Sequence, residues 1–300
     1  MSKNPGAEVR KHLATGKIAM SVSAHDALTA KLVEKAGFEM ISISGNAVAA
    51  SYLGMPDMGF ITLPEIVDVS RRIAAAVDIP VMVDADTGYG NAVQVTRTVE
   101  EFERAGVAGI IIEDQIDYKK CRMIEGGGHP VVAAEDHAAK VEAACAARND
   151  SDFLIIARTD AAADHGLEEA IRRAHLYIEA GADMLDVEVF GTPEEVAEIK
   201  AARLSVPLKA NMDEGKGLWK MGLDDLADAG YGIASYPGVV RYTVVKAVAD
   251  ALAELKRAGN AQNLIPTMSS VEEYFDAVDL ERYMALEADH LKPFDTADKK

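Results

Sequence analysis

Residues 104–113 read Arg104-Ala105-Gly106-Val107-Ala108-Gly109-Ile110-Ile111-Ile112-Glu113. Two physical signals meet there. The Ala-Gly pair closes a helix, because glycine takes the left-handed conformation after a last helical turn at little steric cost. The short apolar run that follows suits a strand buried on both faces, as in a parallel sheet. The same order returns along the chain. Lys35-Ala36-Gly37 precedes Met40-Ile41-Ser42-Ile43, Glu179-Ala180-Gly181 precedes Met184-Leu185-Asp186-Val187, and Asp228-Ala229-Gly230 precedes Gly232-Ile233-Ala234. Filling the gaps predicts eight strands, near residues 18–22, 40–44, 81–84, 109–113, 153–157, 184–188, 208–211 and 232–236. Helical segments separate them, most clearly at 63–77, 95–105, 133–147 and 167–180. Pro80 and Pro207 stand just before strands, where they stop the preceding helix. Eight β/α units predict a closed (β/α)8 TIM barrel. A doubly wound open sheet is the alternative, but no Gly-x-Gly-x-x-Gly follows the first strand.

The chain has 300 residues, which fits one barrel of about 250 residues plus an appendage. The expected division is a catalytic barrel over 1–258 and a C-terminal helical extension over 259–300. Within the extension, 259–267 reads as a linker and 271–288 has helical spacing before a polar tail. That helix either packs on the barrel's outside or forms an arm on a neighbouring subunit. With 49% hydrophobic and 27% charged residues, the chain is neither disordered, collagenous nor coiled-coil. A net charge of −18 argues against nucleic acid or an anionic membrane surface as partner. It leaves room for an anionic small substrate where a metal or a few cations reverse the field. Cys121 and Cys145 make no disulfide framework. Residues 1–12 are polar, and no apolar stretch approaches the ~20 residues that span a bilayer. A cytoplasmic protein is expected.

Barrel enzymes carry their catalytic groups where strands end, and here those ends are polar. The second strand runs into Ser44-Gly45-Asn46, the third into Asp84-Ala85-Asp86, and the fourth ends Glu113-Asp114-Gln115. The fifth ends Arg158-Thr159-Asp160, the sixth at Glu188 and the seventh at Asn211. Surface loops explain some of these; so many charges converging on one rim fit a charged active site better. Asp84 and Asp86, two apart, share a strand face. With Glu113 on the adjacent strand they describe a Mg²⁺ or Mn²⁺ site, since Mg²⁺ binds through one or two carboxylates and keeps several waters. The plainer alternative is a pair of aspartates capping the next helix.

Lys119-Lys120-Cys121 follows the fourth strand, ahead of Glu125-Gly126-Gly127-Gly128. A Cys beside lysines is expected to have a lowered pKa and can serve as acid, base or nucleophile. It can equally be a small apolar residue in a basic loop. The Gly run suggests an active-site lid. Cys145 sits in an Ala-rich helix and reads as packing, as do Trp219, Met221 and the other methionines. Glu194, Glu195 and Glu198 read as a solvated helix face. His129, His137, His165 and His175 are scattered, with no His-x-x-x-His; a surface role is expected for His129.

Taken together, these residues resemble the isocitrate lyase / phosphoenolpyruvate mutase superfamily and, within it, the methylisocitrate lyase and 2,3-dimethylmalate lyase branch. The resemblance covers residues 26–281. It rests on Ser44-Gly45, Gly54-Met55-Pro56-Asp57, Val83-Asp84-Ala85-Asp86-Thr87-Gly88-Tyr89-Gly90 and Ile112-Glu113-Asp114-Gln115. Lys119-Lys120-Cys121, Ala157-Arg158-Thr159-Asp160 and Ala210-Asn211 follow in the family's order. Any one motif is weak; the ordered set is specific.

The resemblance implies a barrel whose last helix is exchanged between paired subunits of a homotetramer. It implies a 2-oxo acid, or a hydroxy acid that becomes one, bound on Mg²⁺. Asp86 would be the direct metal ligand, with Asp57, Asp84 and Glu113 holding metal-bound waters. Ser44, Gly45 and Asn46 would bind a substrate carboxylate, Arg158 would pair with an anionic group, and Glu188 and Asn211 would line the pocket. Cys121 would be the lyase acid–base residue, with Lys119 beside it. The family's lyase loop reads Lys-Lys/Arg-Cys-Gly-His; here Cys121 is followed by Arg122-Met123, a departure that opens the substrate's identity. The implied reaction is metal-dependent cleavage of a 2-hydroxy di- or tricarboxylate to a 2-oxo acid and a carboxylic acid. Oxaloacetate decarboxylation or phosphoenolpyruvate mutase-type chemistry is the alternative, and a non-catalytic oxo-acid-binding protein is a third.

Overall fold

The structure, a computed structural model, describes residues 4–116, 119–121, 124, 130–215 and 217–291. Arg122-Met123, the run Glu125-Gly126-Gly127-Gly128, His129 and the polar tail after residue 291 lie outside the described residues. Eight parallel strands close into a barrel in chain order. They are β1 (Ala19–Ser23), β2 (Met40–Ile43), β3 (Val81–Asp84), β4 (Gly109–Glu113), β5 (Leu154–Thr159), β6 (Met184–Val187), β7 (Leu208–Asn211) and β8 (Tyr231–Tyr236). Closure is direct: Ala19 to Val22 of β1 register against Ile233 to Tyr236 of β8. The expected strands all form, with ends displaced by one or two residues at β1, β2, β5, β6 and β8. The expected helices form at Leu63–Ala76, Gln94–Ala105, Ala134–Ala147 and Leu167–Glu179. Gly106 takes φ +81°, and its N–H donates to the Glu103 carbonyl. The Ala-Gly reading thus rests on the physical cause assigned to it, with Gly37, Gly181 and Gly230 in the same region of φ.

Side chains alternate along each strand between two apolar cores. Ile110, Ile112, Ile155, Leu185 and Ala210 face the surrounding helices. Met40, Met82, Ile111, Leu154, Ile156, Met184 and Ile233 fill the barrel, with Val9 of the helix Pro5–Leu13 packed among them. The inward column changes character toward the strand ends. Met184 on β6 is followed two residues on by Asp186, Ile111 on β4 by Glu113, Ile156 on β5 by Arg158, and Ile233 on β8 by Ser235. Apolar filling therefore stops at one level, and a polar chamber begins above it.

Outside the barrel, His137 is buried edge-on to the Tyr177 ring, 4.6 Å between centroids. Burial, helped by the charges of Lys140 and Arg173, pushes its pKa down to about 3. An unfolded histidine takes its proton near pH 6.5, so between those values the unfolded chain binds the extra proton. Stability from this residue is complete above pH 6.5 and falls as pH drops through the window, by about 1.4 kcal/mol per unit. Urea midpoints of His137→Phe should fall less steeply than wild type between pH 6.5 and 4. Parallel curves would remove His137 as the source.

Two compact units make up the chain, residues 1–243 and 244–300. In the second, Ser270 and Glu273 form a reciprocal capping box on the helix Val271–Ala277, and the helix Leu280–His290 follows. Val245, Val248, Leu252, Ile265, Val271, Tyr274 and Tyr283 of this unit are exposed. Among the described residues no helix is long and apolar enough to cross a membrane. Two packing expectations need correction. Trp219 is 44% exposed, with the Lys220 ammonium over its ring, and Met55, Met58, Met268 and Met284 are also exposed. A lone polarizable side chain carries no periodic signal that separates core from surface. Glu195, read as a solvated face, caps its own helix by accepting from the Thr192 N–H at 2.9 Å.

Candidate active site

The strand ends and the loops behind them line one opening. Ser44, Asn46, Asp57, Asp84, Glu113, Lys119, Cys121, Arg158 and Asn211 all line it. Asp84 ends β3, and Asp86 follows in a turn at φ +49°, a left-handed backbone that Asp tolerates better than most residues. The Asp84 carboxylate accepts from the Asp86 N–H at 3.1 Å. Neither aspartate caps the next helix; Asn91 does, its side-chain oxygen accepting from the Val93 and Gln94 N–H groups at 2.9 and 3.2 Å. The two share a direction through this turn rather than through strand pleating. Gly45 faces them: a Cβ there would stand 2.9 Å from Asp86 Oδ1 and 3.5 Å from Asp84 Oδ2. Glycine is needed for that close approach.

Between the carboxylates sits the Lys119 ammonium. Its Nζ pairs with Asp86 Oδ1, lies 3.2 Å from Asp57 Oδ1 and 3.7 Å from Glu113 Oε1, and is 4% exposed. Burial pushes Asp86 up to about 7, opposed by Lys119. Burial likewise drives Glu113 well above the usual carboxylate range. Burial works against the charge on Lys119, but Asp86 and Glu113 outweigh it and raise its pKa. The carboxylates thus stand gathered around a cation.

Hard oxygen donors, several of them buried and focused on one positive centre, fit Mg²⁺ or Mn²⁺. Among the described residues no three acidic, Cys or His side chains close on one point as direct ligands. Asp86 is buried, and its Oδ1 pairs with the Lys119 ammonium.

Arg158, at the end of β5, is held in a fork by Asp160, at 3.0 and 2.8 Å. Its guanidinium also lies 3.6 Å from Glu113 and 3.7 Å from Glu188. Asn211 donates to Glu188 at 2.5 Å. The fork is fixed from behind by Asp114, which is fully buried. Asp114 accepts from the Thr159 hydroxyl (2.7 Å), the Asp160 N–H (2.9 Å), the Tyr177 hydroxyl (2.8 Å) and Arg173 (3.0 Å). A carboxylate so completely hydrogen-bonded locks the ends of β4 and β5 together.

Cys121 reaches the same chamber from its loop. The Asn46 amide donates to Sγ at 3.0 Å, and the Cys121 N–H donates to the Asp57 carbonyl at 3.1 Å. Thiol, Lys119 and carboxylates thus share one pocket. Cys145, in contrast, donates to the Gly181 carbonyl from a helix. Gln115 of the fourth strand end lines the chamber too, with six residues that sequence reasoning misses: Ser42, Asp186, Lys209, Asp213, Ser235 and Arg241. Three of them carried a readable signal. Ser42, Asp186 and Lys209 stand two residues before Ser44, Glu188 and Asn211, hence on the same strand face.

Residues 10–256 match the phosphoenolpyruvate phosphomutase family. The chain is 39% identical to 2,3-dimethylmalate lyase of Eubacterium barkeri, over 95% of this chain and 97% of that protein. It is 38% identical to 2-methylisocitrate lyase of Aeropyrum pernix, over 96% and 91%. Among solved structures it is similar to phosphonopyruvate hydrolase in complex with oxalate and Mg²⁺. There the TM-score is 0.87 at 34% identity, covering 97% of this chain and 100% of that one.

Proposed function

The chain belongs to the isocitrate lyase / phosphoenolpyruvate mutase superfamily, and from that premise we propose that it is a divalent-metal-dependent carbon–carbon lyase. Its substrate is a 2-hydroxy di- or tricarboxylate of the 2-methylisocitrate or alkylmalate type. Cleavage of C2–C3 gives pyruvate or another 2-oxo acid and a carboxylic acid. The observation that carries this reading is the Cys121 thiol, held by Asn46 in the pocket that also holds Arg158 and the carboxylate cluster. The lyases among its relatives support it.

Asp86, with Asp57, Asp84 and Glu113 through water, would hold Mg²⁺, which would polarise the hydroxyl and stabilise developing negative charge. The residues of the chain do the rest. Ser44, Gly45 and Asn46 bind one substrate carboxylate, and Arg158, preset by Asp160, pairs with another anionic group. Glu188 and Asn211 hold the wall beside it. Glu113, its pKa raised by burial, is the rim carboxylate suited to take the hydroxyl proton. As C2–C3 breaks, the electron pair stays on C3, next to its carboxylate, and the Cys121 thiol delivers a proton there. Lys119 keeps a positive charge among Asp57, Asp86 and Glu113.

A phosphonopyruvate-type or oxaloacetate-decarboxylating reaction is the second reading, favoured by the similarity to phosphonopyruvate hydrolase; it has no need of Cys121. The purified protein, with Mg²⁺ or with EDTA, should be incubated with methylisocitrate, isocitrate, 2,3-alkylmalates, oxaloacetate and phosphonopyruvate, and the products identified by mass spectrometry. A metal-dependent 2-oxo acid with its matching carboxylic acid is expected. Product from oxaloacetate or phosphonopyruvate alone would replace the lyase reading with the second.

Several large apolar side chains of residues 244–300 are exposed, the kind of surface that a partner subunit covers. A helix-exchanged homotetramer covers them in this reading, and the protein works in the cytoplasm.

A further inference from the structure

The floor of the chamber is charged, where barrels of this kind ordinarily place bulky branched side chains. Asp186 of β6 and Lys209 of β7 form an ion pair of 2.6 Å, at 1% and 7% exposure, and both line the pocket. Beside them, Ser42 of β2 and Ser235 of β8 share a hydroxyl–hydroxyl bond of 3.1 Å. One level above, the neighbouring residues of the same two strands, Glu188 and Asn211, make the wall pair.

Stability does not account for the lower pair. A buried ion pair pays a desolvation cost that its attraction seldom exceeds, and apolar replacements of equal volume are often neutral or stabilising. The pair is also incompletely bonded within the protein. Asp186 Oδ1 is buried with no hydrogen-bond partner, and Lys209 has three N–H donors, of which Asp186 takes one. What remains is one acceptor and a donor, side by side, at the bottom of a substrate pocket.

We propose that Asp186 and Lys209 are specificity-determining residues that select a substrate with a hydroxyl group, beyond the one at C2, pointing toward the barrel axis. A hydroxyl satisfies both partners, donating to Asp186 Oδ1 and accepting from Lys209 Nζ. An alkyl group satisfies neither and strands two buried polar groups. A carboxylate accepts from Lys209 but meets Asp186 as a like charge, so it satisfies one partner only. The substrate class is therefore a hydroxyalkyl-substituted malate, and the product fragment a hydroxylated oxo acid or carboxylic acid. This rests on reading the pocket as an oxo-acid lyase site.

The test compares malates substituted at C2 or C3 with ethyl, hydroxymethyl or carboxymethyl, in wild type and in the double variant Asp186→Leu/Lys209→Met. Wild type should favour hydroxymethyl over its isostere ethyl by about a hundredfold or more in kcat/KM, since sites that bond a hydroxyl reject analogues lacking it strongly. The double variant should fall to near parity while its Tm holds or rises. A wild-type ratio within threefold, a preference for carboxymethyl, or a ratio carried unchanged into the variant would each overturn the proposal. Should the double variant not fold, Asp186→Asn alone is expected to cut the ratio at least tenfold, and an unchanged ratio counts against the floor. If no malate is cleaved, the lyase reading fails separately. The floor is then judged by calorimetry of hydroxypyruvate against 2-oxobutyrate with Mg²⁺: tighter hydroxypyruvate in wild type alone sustains it, and equal or absent binding ends it.

Discussion

Replacing Cys121 with Ser is expected to lower the rate of C–C cleavage about a thousandfold, within the range set by removing a positioned general acid. The fold and oxo-acid binding should stay intact. The chain's own geometry motivates this. Sγ is fixed from the side by the Asn46 amide at 3.0 Å, and its backbone is tied to Asp57, a member of the carboxylate cluster. The thiol is thus a positioned group on the chamber wall. Serine keeps the shape, but a hydroxyl is a much weaker acid than a thiol and delivers a proton to the departing carbon slowly. Single-turnover rates with the best substrate measure the loss. Calorimetry with pyruvate and Mg²⁺ should give a Kd within about threefold of wild type. A cleavage rate within tenfold of wild type would take the proton transfer away from Cys121 and favour the second reading. A lost pyruvate site would instead mean that the residue shapes the pocket.

The barrel was legible because its signals are local. Gly106 and its counterparts need φ > 0 after a helix, and a strand covered on both faces must be apolar throughout. Those constraints act on neighbours in sequence, so a string of residues displays them. The carboxylates at the strand ends were legible for the same reason: the period of two that puts Met184 in the barrel core puts Asp186 and Glu188 above it. Contacts between distant segments were not legible. Nothing in Lys119-Lys120-Cys121 shows that Lys119 lies among Asp57, Asp86 and Glu113, or that Cys121 receives the Asn46 amide. Asp114 stood in plain view beside Glu113, yet its partners Tyr177 and Arg173 come from a helix some sixty residues on. Asp186 and Lys209 were passed over although their spacing pointed inward, because a charged residue below the rim contradicts the expectation of an apolar barrel core. Charged side chains at apolar-core spacing are where local rules fail and function is worth seeking.

Asp86→Asn should abolish metal-dependent turnover while leaving the barrel folded. The backbone argument comes first. Asp86 holds φ +49°, a conformation that costs energy in a non-glycine residue and persists where its surroundings impose it. Asn tolerates the same region, so the substitution removes charge without asking the turn to change. The electrostatic argument follows. Burial raises the Asp86 pKa to about 7 even against the opposing pull of a cation beside the carboxylate. In the chain by itself that cation is Lys119; in the working enzyme it would be the divalent ion. Losing the direct carboxylate removes several kcal/mol of charge stabilisation, a fall of at least a thousandfold in kcat/KM. Asp84→Asn, acting through water, should cost about 10–100-fold in metal affinity. Mn²⁺ titrations followed by electron paramagnetic resonance read affinity without any turnover, and far-ultraviolet circular dichroism reads the fold. Mn²⁺ binding and turnover in Asp86→Asn equal to wild type would remove Asp86 from the metal. Weakened binding in Asp84→Asn and none in Asp86→Asn, with both spectra unchanged, is the ordered result the proposed metal site predicts.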